Sequence, residues 1–293
     1  MTSRRRAAGA RIRPGGARQR AIRTAANRGA PTLDFPAQTP YDEYVGAETL
    51  HRLQRTVTDI PEERAFLVTT QIMELYFGLL RAEWLLVQRL LDGGDAAGAT
   101  AVLSRSTRYF DGLNAAWGAL GWMTPAQFNS FRDDLGEGSG FQSAMYRHLE
   151  FLLGNKSAAL VRPHRRSPRV HGELLAALDR PSLYDSVLAL LARRGLAVPP
   201  PGDPRAEYVP SQAVEDAWVE IYARGPGDDL HDLGEALTDV SERFTDWRYR
   251  HLMSVRRTMG AKPGTGGSSG VSWLERSLRR EVFPELWSAR TRM

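Results

Sequence analysis

Residues 228–259 read DDLHDLGEALTDVSERFTDWRYRHLMSVRRTM and carry the clearest helical pattern in the chain. Its large apolar residues recur three or four positions apart, which is the spacing of one buried face of an α-helix. These residues are Leu230, Leu233, Leu237, Val240, Phe244 and Trp247. His251 follows one helical turn after Trp247. The pattern therefore predicts a long helix whose apolar face ends in an imidazole.

A single histidine on an apolar helix face is open to two interpretations. It is most often a core residue that forms a hydrogen bond with a neighbouring carbonyl group, and the spacing alone favours this interpretation. A neutral imidazole in apolar surroundings is also what haem iron takes as a proximal ligand. The spacing of His251 does not raise the second interpretation above the first.

The rest of the chain predicts more helices and no sheet. Pro61, followed by two glutamates, begins a helix that reaches about Leu91. Other helices are predicted over about 96–120, 142–153, 211–222 and 272–282, and shorter ones begin near 168 and 182. No segment alternates apolar and polar residues for long enough to indicate a strand. We therefore predict an all-α protein with one helical domain over residues 36–293.

The composition excludes several classes of protein. The 293 residues contain no cysteine, which excludes disulfides and thiolate metal ligands. No run of about 20 apolar residues lacks a charge, so the sequence predicts no membrane span. A cytoplasmic protein is the simplest interpretation of these two observations.

The net charge of +5 comes from the N-terminus. Residues 1–30 contain nine of the 39 basic residues and no acidic residue, which leaves 30 basic against 34 acidic residues in the remainder. An arginine-rich segment with few large apolar side chains predicts a disordered arm over residues 1–35. A nucleic-acid-binding tail is the alternative. It is not favoured, because no aromatic residues interleave the arginines.

Several runs of the sequence resemble the tryptophan 2,3-dioxygenase family. They read SGFQS at 139–143, YRHLEFLLGNK at 146–156, WRYRH at 247–251, KPGTGGSSGV at 262–271 and FPELW at 283–287. The resemblance spans about residues 39–291. It implies an all-α oxygenase that binds haem b and O2, acts on an indole amino acid, and assembles as a homo-oligomer, a tetramer in the family.

The resemblance also implies a set of site residues. His251 would be the proximal ligand of the haem iron, and Ser139 and Gly140 would run beside the distal face. Arg132 would pair with the substrate carboxylate, a role that suits the planar guanidinium fork. Thr265, in the glycine-rich run, would hold the amino-acid head of the substrate.

Three aromatic residues complete the implied substrate site. Phe66 would line the indole pocket. Tyr41 and Tyr44 belong to a segment that in the family caps the site of a neighbouring subunit, which is why the resemblance implies an oligomer.

Two positions depart from the family pattern. Thr70 stands where the family has a histidine that contacts the indole nitrogen, and Phe128 stands where it usually has tyrosine. A threonine hydroxyl accepts a hydrogen bond from an indole N–H group, but it is not a general base near neutral pH. Threonine is also smaller than histidine. These changes favour a substituted tryptophan, for example a methylated one, over L-tryptophan.

The outcome of the reaction stays open at this point. A dioxygenase would insert both oxygen atoms at the indole C2=C3 bond and cleave the ring to N-formylkynurenine. A monooxygenase would give a 2-oxindole and would consume an external reductant. A non-catalytic haem sensor is the third alternative. Arg132 and Thr265 argue against it, because a sensor of O2 needs no amino-acid clamp.

Overall fold

The computed structural model describes residues 15–293, in which there are two compact units, with the division between Thr56 and Val57. The described part of the first unit contains three short helices. These are α1 (Ala17–Ala26), α2 (Pro40–Val45) and α3 (Ala47–Arg52). None of the three helices has a buried residue. The predicted division after residue 35 falls inside this unit and stays a prediction.

Helix α1 lies within the segment for which the composition predicts a disordered arm, and the disorder of that arm stays a prediction. Its sequence, ARQRAIRTAA, consists mostly of alanine and arginine, which have high intrinsic helix propensity. This local preference favours a helix even where no side chain is buried. The part of the predicted arm before residue 15 lies outside the described residues.

The second unit is helical throughout, and residues 15–293 contain no strand, so the predicted all-α class is confirmed. Its longer helices are α4 (Pro61–Asp92), α5 (Ala96–Ala119) and α11 (Asp229–Met259). Its shorter helices are α6 (Pro125–Arg132), α7 (Ala144–Leu152), α8 (Pro168–Leu178), α9 (Leu183–Arg193), α10 (Gln212–Ala223), α12 (Val271–Leu278) and α13 (Pro284–Ser288). In the described chain, no helix is long and apolar enough to cross a membrane.

Helix α5 packs against both α4 and α11, and the core of the unit lies along these two contacts. Phe110 of α5 shows the arrangement. Its ring lies 6.2 Å from that of Trp84 on α4 and 6.4 Å from that of Phe244 on α11, measured between centroids. Each of these rings is almost fully buried. Aromatic side chains at this separation contribute more to stability than their buried area alone.

The ends of α4 and α11 follow from local chemistry. Pro61 and two acidic residues occupy the first turn of α4, where a missing N–H and negative charge are both favourable. The side chain of Asp228 accepts hydrogen bonds from the first backbone N–H groups of α11. Gly260 ends α11 with a φ of 60°, a conformation that other residues avoid.

The sequence analysis did not predict the short helices α2, α3, α6 and α13, and it extended α12 too far. Helix α6 was not predicted, although Thr124 and Gln127 form a capping box at its start. Helix α12 ends at Leu278, four residues earlier than predicted, where Arg248 of α11 donates a hydrogen bond to the carbonyl oxygen of Ser277.

Candidate active site

Helices α4 and α11 bring the predicted iron ligand and the divergent threonine into one region. The rings of Phe77 and Trp247 meet edge to face, with centroids 5.3 Å apart. A second contact lies further along both helices. Phe66, eleven residues before Phe77 on α4, and Met259, twelve residues after Trp247 on α11, pack against the same hydrophobic cluster. The two helices therefore run antiparallel here. The segments that carry Thr70 and His251 lie between these two contacts.

His251 lies against two indole rings. Its ring is stacked on that of Trp117, with centroids 4.7 Å apart and 8° between the planes, and it lies 5.8 Å from that of Trp247. Burial lowers the pKa of His251 to about 4, because the apolar surroundings disfavour the charged form. The imidazole is therefore neutral at physiological pH.

These features fit a haem ligand. The side chain of His251 is partly accessible, and neither ring nitrogen is hydrogen-bonded to a residue between 15 and 293. The same residues contain no group of three or more histidine, aspartate or glutamate side chains that could hold a metal ion. An iron that arrives with four porphyrin nitrogens needs only one such imidazole from the protein. His251 could hold haem iron, whereas a bare metal ion would find too few ligands.

Arg132, the last residue of α6, is a mostly buried cation with spare donors. Its side chain is 17% exposed, and Nη2 donates to the carbonyl oxygen of Pro263 over 2.5 Å. Its Nε is buried, with no partner among the described residues, and the nearest carboxylate oxygen, on the exposed Asp133, is 3.9 Å from Nη1. This guanidinium suits a ligand carboxylate.

The glycine-rich loop, residues 260–270, packs against the segment that precedes α7. The hydroxyl of Thr265 donates to the carbonyl oxygen of Gly138 over 2.6 Å. A Cβ on Gly266 would lie 2.9 Å from the Cβ of Ser139, so the two backbones approach too closely for a side chain. Since Pro263 contacts Arg132, the loop brings Arg132, Thr265 and Ser139 together.

Three phenylalanines, two of them on the same helix as Arg132, form an apolar wall. Phe66 lies 5.6 Å from Phe128 and 5.8 Å from Phe131, and the last two are 5.4 Å apart, between ring centroids. Phe128 is 7% exposed, so the position where the family usually has tyrosine faces other rings. Phe66 is the one ring of the three that is partly exposed, and it could contact the flat face of an aromatic ligand.

Thr70 lies one turn after Phe66 on an exposed part of α4. Its hydroxyl donates to the carbonyl oxygen of Phe66 over 2.9 Å. The proton is thereby engaged, and the lone pairs of Oγ1 stay available to accept a hydrogen bond. Gly140, also exposed, begins a short 3-10 helix directly after Ser139.

Tyr41 and Tyr44 lie on α2 in the first unit. Their side chains are 70% and 81% exposed. This exposure is what a residue that caps another subunit would show in a single chain. Their role stays a prediction.

Sequence reasoning missed two residues of the site. It assigned no role to Trp117, whose ring is stacked on that of His251. It also overlooked Phe131, which is fully buried and completes the aromatic wall. The helical spacing of Phe128 and Phe131 with the capping box at Thr124 was the signal that could have found the second. No signal in the sequence pairs Trp117 with His251, because that contact joins separate helices.

The structure is thus that of an all-α protein with a neutral imidazole on α11 and a mostly buried guanidinium with unused donors at the end of α6. A family model described as tryptophan 2,3-dioxygenase matches residues 27–199 and 208–293. A tryptophan 2,3-dioxygenase of Caulobacter vibrioides is 41% identical over 258 residues, which cover 86% of this chain and 98% of that protein. Those of Polaromonas sp. strain JS666 and Bradyrhizobium sp. strain ORS 278 are each 40% identical over 264 residues, 88% of this chain and 90% and 94% of theirs.

The chain belongs to the tryptophan 2,3-dioxygenase family. The resemblance of the sequence runs is thereby confirmed. Membership makes the protein an enzyme that depends on haem b and uses O2. The neutral imidazole of His251, which is partly accessible, agrees with this dependence on haem.

Proposed function

We propose that the protein oxygenates the indole C2=C3 bond of L-tryptophan or of a tryptophan that carries a small substituent. The observation that carries the proposal is the Arg132 clamp. A mostly buried guanidinium with unused donors adjoins the loop of Thr265 and the Phe66 wall. Charged and aromatic surfaces in this combination suit an aromatic amino acid rather than O2 alone. The relatives are named as dioxygenases of tryptophan.

Each side chain would have a distinct task. Haem held by His251 would supply the activation of O2. Arg132 would pair with the carboxylate, and the hydroxyl oxygen of Thr265, whose proton goes to Gly138, would accept from the ammonium group. The wall that includes Phe66 would orient the indole ring and exclude water. Thr70 would accept from the indole N–H without removing its proton.

Ser139 and Gly140 would border the oxygen-binding side. The close approach of Gly266 to Ser139 shows how tightly the loop covers this segment. Small residues here leave room for both the substrate and O2.

The fate of the two oxygen atoms is best tested with isotopically labelled O2. Full-length haem-loaded protein is incubated with L-tryptophan and with methylated tryptophans, and the products are analysed by mass spectrometry. Two labelled atoms in a ring-opened product would support dioxygenation, which we favour from the relatives. One labelled atom in an intact ring would establish the 2-oxindole alternative and a need for external reductant. Haem binding without any turnover would favour the sensor.

We further propose that the protein is a cytoplasmic homotetramer in which Tyr41 and Tyr44 reach the site of a neighbouring subunit. The exposure of both side chains on α2 supports this. Light scattering measures the assembly, and Tyr44→Ser should raise the KM without changing haem content. A fully active monomer would exclude a shared site. Removal of residues 1–30 should leave turnover unchanged if the arm has no part in catalysis.

A further inference from the structure

Arg248 joins the helix of the predicted iron ligand to the helix that follows the glycine-rich loop. It lies on α11, three residues before His251, and is 6% exposed. Its Nη1 donates to the carbonyl oxygen of Ser277 and its Nη2 to that of Arg280, both over 2.7 Å. The carbonyl group of Ser277 belongs to the last turn of α12 and also accepts from the backbone N–H of Arg280 over 3.3 Å, and Arg280 lies two residues beyond the helix. One guanidinium thus caps α12 from α11.

The position of α12 determines the position of the loop. Gly270 directly precedes α12, and a Cβ there would lie 2.5 Å from the carbonyl oxygen of Lys262. The two ends of the loop therefore touch, as in an Ω-loop. Within it, the N–H of Gly264 donates to the carbonyl oxygen of Ser268 over 3.0 Å. Because the two ends of the loop touch at Gly270, directly before α12, a shift of α12 would also shift the loop.

Helix α12 also contacts the segment on the other side of the site. The ring of Trp273 meets that of Phe141 edge to face, with centroids 5.8 Å apart. Phe141 follows Ser139 and Gly140 in the chain. A shift of α12 would therefore disturb this segment as well as the loop of Thr265.

Burial of the charged guanidinium of Arg248 costs free energy, and its hydrogen bonds to α12 offset part of that cost. Burial lowers the pKa of Arg248, while the nearby Tyr146 and Glu150 act in the opposite direction. Its guanidinium also lies over the ring of Phe244, 4.8 Å from the centroid. An apolar side chain of similar length could fill this space without the cost of burying a charge. What it could not do is bind two carbonyl groups in a fixed geometry.

We propose that Arg248 is a positioning residue, which holds α12 and thereby the Thr265 loop in register with the helix that carries His251. The proposal rests on the proposed function of that loop in substrate binding. It assigns Arg248 no contact with substrate or haem. Its loss should loosen the loop and weaken substrate binding, while the iron ligand stays in place.

The test compares Arg248→Met and Arg248→Lys with the wild-type haem-loaded protein. Methionine keeps much of the length and removes the donors, and lysine keeps the charge but cannot reproduce the two-pronged geometry. We expect the KM for the amino-acid substrate to rise on the order of tenfold to a hundredfold in Arg248→Met, as for a clamp displaced by about 1 Å. The rise should be smaller in Arg248→Lys, and the haem absorption spectrum should not change in either.

Hydrogen exchange provides a readout that does not depend on activity. Amides of residues 262–280 should exchange faster in Arg248→Met than in the wild type, while those of α5 should not. Arg250→Met is the matched control, because Arg250 is an exposed residue of α11 whose ion pair is with Asp246. It should behave as the wild type does in both measurements.

Two results would overturn the proposal. One is an Arg248→Met protein that folds and has wild-type KM and loop exchange. The other is a loss of haem from Arg248→Met, which would show that Arg248 acts on the His251 helix itself. If Arg248→Met does not fold, Arg248→Lys decides by the same two measurements. Failure of the proposed function is distinguishable, because the wild-type protein would then lack turnover while the exchange result could still hold.

Discussion

The imidazole of His251 lies parallel to the indole of Trp117, with 4.7 Å between the ring centroids and 8° between the planes. The two residues belong to different helices, α11 and α5. The stack fixes the plane of the imidazole, and its apolar surface helps to keep the ring neutral. Both effects suit the proposed role of His251 as an iron ligand, because a metal ion binds only the unprotonated nitrogen.

The first prediction concerns His251 as the iron ligand. Replacement by alanine removes the nitrogen ligand but leaves a space beside Trp117. Purified His251→Ala should contain little haem, and added imidazole should restore haem binding by filling that space. Absorption spectroscopy of the haem measures both effects. His51→Ala, at an exposed histidine, is the control and should keep its haem. A native haem spectrum in His251→Ala would make the ligand assignment wrong.

The second prediction concerns Arg132. Arg132→Ala should raise the KM strongly and leave haem content unchanged, because an ion pair that loses one partner in a buried site costs about 2–5 kcal/mol. Arg132→Lys should recover only part of this, since an ammonium group cannot pair with a carboxylate through two parallel bonds. Steady-state kinetics with an L-amino-acid substrate give the KM. Unchanged kinetics in Arg132→Ala would exclude the clamp.

The third prediction concerns the pH dependence of stability. His148 on α7 is 3% exposed, and burial, followed by the charge of Arg81, lowers its pKa to about 4. Because an unfolded histidine titrates near about 6.5, the unfolded chain binds a proton between these values that the folded chain does not. The free energy of unfolding should therefore fall as the pH falls from about 6.5 to about 4.

His148→Gln should remove this contribution, which is at most about 3 kcal/mol at the acidic end. Urea denaturation of the haem-loaded protein at several pH values measures it, since iron ligation would keep His251 from titrating. The exposed His51 provides the control variant, His51→Gln. An equally steep pH dependence in His148→Gln and the wild type would contradict the prediction.

Much of the fold could be predicted from local signals. The bounds of α4 and α11 follow from a strong 3.6-residue period together with their caps, and the structure confirms both. Helix α1 lies in a segment whose lack of large apolar residues predicts disorder, while its alanine and arginine content favours a helix. Helix α6 was missed although it has a capping box and two buried phenylalanines, because eight residues are too few for a clear 3.6-residue period.

The candidate site was also predictable only in part. The sequence runs that carry Arg132 and Thr265 could be found by resemblance, and the structure brings both to one loop. The contacts between separate helices could not be predicted from the sequence. The stack of Trp117 on His251 and the bonds from Arg248 to α12 join residues of separate helices, and their contact depends on how the helices pack.

The last prediction concerns Thr70, the position that departs most from the family. Its side chain is exposed on α4, and its hydroxyl proton is held by the carbonyl oxygen of Phe66. If the smaller residue exists to make room, the enzyme should prefer a methylated tryptophan over L-tryptophan, and Thr70→His should reverse that preference. One methyl group in an apolar pocket is worth only about 1–3 kcal/mol of discrimination, so we expect a change in relative kcat/KM on the order of tenfold to two-hundredfold. Competition between the two substrates measures it directly. Thr70→Ser keeps the hydroxyl and should retain the preference of the wild type. Equal turnover of both substrates in all three proteins would show that Thr70 has no part in selecting the substrate.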